Sequence, residues 1–157
     1  MKKASSLLGA FVMLSCFVGN TAQADDGVEG MLSIESKFTV LETANRLERM
    51  VKAKGLKLFA RIPHSEGASA VGVNLRPTEL LIFGNPKMGA PIMQCQQTVA
   101  LDLPQKMLIW KNQANKVQIS YNAPAYLIKR HSIVGCEDVL EKMSKALAGL
   151  ARKAGGV

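Results

Sequence analysis

Two cysteines, two histidines and one acid in an apolar setting are the residues whose types could do chemistry beyond position 24. Cys95 and Cys136 form an even pair. In an oxidising compartment such a pair either bridges or persists as two buried, inert thiols. A bridge would span 41 residues and contribute about 4 kcal/mol in the loop-entropy picture. It requires Cα atoms within about 7 Å, which spacing alone does not reveal. There is no CxxC, so thioredoxin-type exchange has no local support. His64 and His131 lie far apart and in no metal-binding spacing. Met31, Met50, Met88, Met93, Met107 and Met143 do not cluster along the chain as a soft copper site would demand, so no metal or cofactor is expected. Ser65 beside His64 and Ser132 beside His131 are sequence neighbours, which is not the geometry of a nucleophile and its base. GxSxG, Walker A and GxGxxG patterns are absent.

Asp102 is the unusual acid. It sits in Ala100-Leu101-Asp102-Leu103-Pro104, where a lone carboxylate needs a partner; hydrogen-bonding a turn before Pro104 is the plain explanation. The stretch from Tyr121 to His131 gathers Tyr121, Asn122, Tyr126, Arg130 and His131 at a strand end. Such groups line a pocket or form a turn-stabilising network in which Arg130 pairs with an acid. The candidate ligand-binding set is therefore His64, Asn85, Asp102, Tyr121, Tyr126, Arg130 and His131.

A single domain must position these groups. Of the 157 residues, 48% are hydrophobic and 20% charged, a composition that excludes disordered and fibrous chains. Residues 1–24 read as a secretory signal peptide: Lys2 and Lys3, an apolar run from Leu7 to Val18, then Ala22-Gln23-Ala24. The stretch from Ala4 to Val18 is too short for a membrane span. Lipidation at Cys16 is disfavoured by the large Leu14. Cleavage after Ala24 would deliver a soluble domain of 133 residues (25–157, core about 31–152) with net charge +6 to the periplasm or beyond. Its basic residues are scattered without interleaved aromatics, which argues against nucleic acid.

Leu32, Ile34 and Ser36 alternate as a short strand. Thr39 and Glu42 make a capping box ahead of the stripe Val40, Ala44, Leu47, Val51, and Gly55 ends that helix. Leu56–Ile62 alternates up to Pro63. Residues 64–72 suggest a loop or weak helix. Residues 79–84 form an apolar run fit for the interior of a sheet. Pro86 opens a helix through Met93, made irregular by Pro91. Lys106–Trp110 and Lys116–Tyr121 flank the turn Asn112–Asn115 as a hairpin. Pro124–His131 is a short helix or turn, and a terminal helix from about Cys136 to Arg152 carries Val139, Met143, Ala146 and Leu150. This order gives a two-layer α+β fold, with helices on one face of an antiparallel or mixed sheet.

Thr43, Leu47 and Lys54-Gly55, then Phe59–His64, Leu75–Lys87 (with Leu81-Ile82-Phe83-Gly84-Asn85-Pro86-Lys87), Pro91–Gln94, Leu101-Asp102-Leu103-Pro104 and Tyr121–His131 resemble the bacterial domain-of-unknown-function family 302 over nearly all of the chain beyond the leader. The resemblance implies a small α+β fold of the TATA-binding-protein-like kind (strand, helix, four strands, helix) and a homodimer. It implies no established enzymatic activity. Two positions depart from the family's usual pattern: Pro63 and Ala123 stand where an Asp is common, which weakens metal or proton-transfer roles there. The expectation is an exported, dimeric module that binds a small molecule or serves as an accessory. The rivals are an enzyme using His, Tyr and Asp for acid–base work and a purely structural dimerisation module.

Overall fold

The computed structural model describes residues 28–157; the expected leader and cleavage site lie outside the described residues. Five strands, β1 (Met31–Ser36), β2 (Lys57–Pro63), β3 (Thr78–Gly84), β4 (Gln105–Lys111) and β5 (Val117–Asn122), form one sheet in the order β1-β5-β4-β3-β2. Every neighbouring pair is antiparallel. β1 and β2 therefore run parallel at opposite edges, and the helix joining them crosses beneath the sheet. The fold is α+β, as the element order implies.

That helix, α1 (Val40–Ala53), starts where expected: the Thr39 hydroxyl accepts the Glu42 amide at 3.2 Å. Its stripe of Val40, Ala44, Leu47 and Val51 is buried against the sheet. The long terminal helix α5 (Glu137–Gly155) lies beside α1 and buries Leu140, Met143, Leu147 and Leu150. Opposite them, alternation puts Leu81 and Phe83, Met107 and Ile109, and Val117 and Ile119 on the core face of β3, β4 and β5. The two helices are also stapled by Arg46, which donates to the carbonyls of Ala154 (3.0 Å) and Lys153 (3.1 Å) at the end of α5. Free carbonyls at a helix C-terminus favour a cation there.

Three shorter helices fill the connections: α2 (His64–Ala70), α3 (Pro86–Cys95) and α4 (Pro124–His131). α2 is formed where sequence suggested a loop or weak helix. A 3-10 turn, Gln97–Leu101, follows α3. The structure joins Cys95, the last residue of α3, to Cys136, the N-cap of α5, with Cα atoms 6.3 Å apart.

On β2, Arg61 reaches Glu79 of β3 and, from α1, Asn45 (2.7 Å) and Glu48 (2.9 Å). Lys52 also donates to Glu48, at 2.5 Å. Together they hold the Glu48 carboxyl below its ordinary value of 4.5, the Lys52 hydrogen bond contributing most. A carboxylate lowered in the folded state adds stability above its unfolded value and loses it as pH falls through the folded one. Denaturant titrations between neutral pH and about pH 3 therefore show stability declining below about pH 4.5. Glu48→Gln makes that decline shallower; an unchanged slope would contradict the assignment.

Candidate functional site

The sequence-predicted set divides among five places. Asp102, Arg130 and His131 converge. Asp102 caps the 3-10 turn, and His131 ends α4. His131 Nε2 lies 2.6 Å and Arg130 Nε 3.4 Å from Asp102 Oδ2, while His131 Nδ1 lies 3.1 Å from Thr98 Oγ1. A carboxylate only accepts, so Nε2 must carry a hydrogen; both ring nitrogens are then occupied. His131 is buried, and this hydroxyl–imidazole–carboxylate row ties the turn to α4. The side chain of Thr98 was not legible as a partner, although Thr98 and Asp102 are four residues apart, a spacing that a tight turn brings together.

Tyr121 shares a second place with Asp102. β4 and β5 are paired from Lys111↔Val117 to Leu108↔Ser120 and then part. β4 stays with β3 down to Gln105, while β5 stays with β1 up to Asn122. The resulting V opens a mixed polar cleft of about 220 Å³ lined by Asp102, Lys106, Ser120, Tyr121 and Asn122, among others. Lys106 Nζ is anchored there on the Asp102 carbonyl at 3.0 Å. Tyr121 is buried, and burial pushes its phenol above the ordinary value of 10.0, with the positive charge of Arg152 opposing.

Asn85 belongs to a third. Its side chain accepts the Lys87 amide at 2.9 Å, capping α3, and it borders an apolar cavity of about 270 Å³. The remaining two residues stand apart. Tyr126 packs on Gly30, whose φ of +79° and lack of a Cβ leave room for the ring. His64 opens α2, exposed, after the strand end where Pro63 pairs with Glu79; Asp102 precedes the opposite end of the sheet, where Gln105 pairs with Phe83. The set as a whole forms no single site.

The cavity was not foreseen. It lies between the ends of β2 and β3, α3, the chain entering β4, and α5. Small residues leave the space: Gly84, Gly89, Ala100 and Ala146, facing Phe59, Phe83, Leu103, Leu147 and Leu150. A Cβ on Gly84 would touch Pro104 at 3.4 Å. Met88, Met93 and Met143 also line it, so three methionines dispersed in sequence do gather in space. Thioether side chains adapt their shape to an occupant. Gln105 contributes a buried amide. Among the described residues no cluster of His, Cys, Asp and Glu suits a metal ion.

The family model of the domain of unknown function DUF302 matches residues 32–150. The chain belongs to this family. A crystal structure of an uncharacterised conserved DUF302 protein from Bacillus stearothermophilus has the same fold, with a TM-score of 0.72 at 19% identity over 81% of this chain and 99% of that one. Curated relatives include proteins named fluoride-specific ion channel FluC 1 from Brucella suis and FluC 2 from Brucella melitensis. Each is 40% identical over 124 residues, covering 79% of this chain and 49% and 46% of theirs. The DUF302 chain thus spans about half the length of these relatives. No helix among its described residues is long and apolar enough to cross a membrane.

Proposed function

We infer that the protein is an exported binding module that holds a small, largely apolar molecule in the cavity beside α3 and α5. The observation that carries this reading is the cavity itself. At about 270 Å³ it has the volume of roughly nine waters, which suits a ligand of about ten non-hydrogen atoms. Its wall is almost wholly apolar with two amides, the composition expected of a small-molecule site. Acid–base catalysis is less well supported, because His131 is buried and lines neither the cavity nor the cleft.

The test is fluorescence titration with 1-aminonaphthalene. Ala146 lies on the solvent side of α5 at the cavity mouth, so Ala146→Trp fills the entrance without disturbing the core. Binding falls at least tenfold in this variant, about 1.4 kcal/mol, with the melting temperature within a few degrees of the parent. Equal affinity in both proteins removes the cavity reading. Export and pairing of two copies belong to the same proposal: native mass spectrometry of protein from its own compartment should show a dimer of chains beginning at Asp25.

A second reading is favoured by the curated relatives, in which a like segment is part of a protein named as a fluoride channel. Here the domain would serve as an accessory to a membrane ion channel. Cells lacking the gene would then lose fluoride tolerance; unaltered tolerance excludes this role.

A further inference from the structure

We propose that Gln105 selects the ligand of the apolar cavity, and that this ligand is an uncharged ring compound presenting a hydrogen-bond donor and an acceptor side by side, as a lactam does. The proposal rests on the cavity reading above and gives its ligand a chemical class. Gln105 opens β4 with its side chain on the core face, 7% exposed. A polar group placed there requires partners. Its Nε2 donates to the Met143 sulfur at 3.0 Å, and a thioether is a weak acceptor that a ligand oxygen readily replaces. Its Oε1 has no hydrogen-bond partner among the described residues. Yet every sealed side-chain nitrogen or oxygen among them has one, so Oε1 is not sealed off. Gln105 borders both the apolar cavity and the polar cleft; its Nε2 is held on Met143, which lines the cavity and not the cleft, and this sets the amide toward the cavity. A planar amide offering N–H to Oε1 and C=O to Nε2 would satisfy both groups at once.

The size limit and the apolar wall favour a compact ring. Charge is disfavoured, since no Lys, Arg, Asp or Glu lines the cavity and an isolated ion is costly to bury. Leaving the ligand's polar pair without partners is what creates discrimination, because an unmatched buried group costs more than a matched one contributes.

Indane and oxindole share a bicyclic shape and differ in the lactam, so calorimetric titration of both against the full protein and Gln105→Leu isolates the amide. The variant loses oxindole affinity about tenfold and keeps indane affinity within twofold. Ala146→Trp, which blocks the mouth, loses both. Gln105→Met gives the same comparison should the leucine variant fail to fold. If the parent binds neither probe, the cavity reading itself fails. If both bind and the Gln105 variants treat them alike, Gln105 does not select, and the cavity reading stands.

Discussion

Replacing Cys95 and Cys136 together by serine lowers the melting temperature by roughly 10 °C or more, the largest single loss expected for this chain. The bridge encloses β4, β5 and α4 within its covalent loop. Removing it returns loop-closure entropy worth about 4 kcal/mol to the unfolded ensemble. The effect is not confined to entropy, because the bond joins the end of α3 to the start of α5 and those helices form two walls of the cavity. Reduction by a phosphine should therefore lower stability to the same degree and weaken 1-aminonaphthalene binding in parallel. Calorimetry of the oxidised and reduced protein reads the first effect and fluorescence the second. A melting temperature that does not respond to reductant would contradict the staple.

Asp102→Ala should cost about 2–3 kcal/mol and leave cavity binding within twofold. The Asp102 carboxylate is 11% exposed and serves His131 and Arg130 together. Its loss leaves the buried imidazole Nε2 of His131 without an acceptor, which carries the full desolvation cost. A double-mutant cycle isolates the contact. Asp102→Ala with His131→Ala should cost clearly less than the sum of the two single changes, because the second change removes the orphaned group created by the first. Urea melts of the four proteins supply the numbers. Additive losses would mean that the two side chains act independently. A loss of probe binding in Asp102→Ala with stability intact would shift the ligand from the cavity to the polar cleft.

Local signals made much of the architecture legible. The Thr39–Glu42 box marks the start of α1 to the residue, and the apolar run of residues 79–84 and the hairpin pattern around Asn112–Asn115 mark β3, β4 and β5. These features depend on periodicity and capping within a few residues. The pairing of β1 with β5 at the far edge was not readable, because it joins Met31 to Asn122 across the whole domain and nothing local encodes it. The candidate site shows the same boundary. Asp102, Arg130 and His131 stood out by residue type and do meet. His64 stood out equally and lies at the other end of the sheet, since residue type carries no information on register. Gln105 went unnoticed because the strand reads naturally from Lys106. Extending the period-two series Met107, Ile109 back by one step would have placed an amide on the core face. The cavity depends on what is missing, the side chains of Gly84 and Gly89, and only packing shows that the neighbours do not close over them.

The most direct test of a ligand held between α3 and α5 is a methyl spectrum of protein labelled at its methionines, recorded while 1-aminonaphthalene is added. Met88, Met93 and Met143 line the cavity, Met31 borders the polar cleft, and Met107 is sealed in the core. The account predicts saturable shifts of the first three signals with Met31 and Met107 unmoved. Shifts at Met31 alone, or no saturable shift at any methionine, would contradict it.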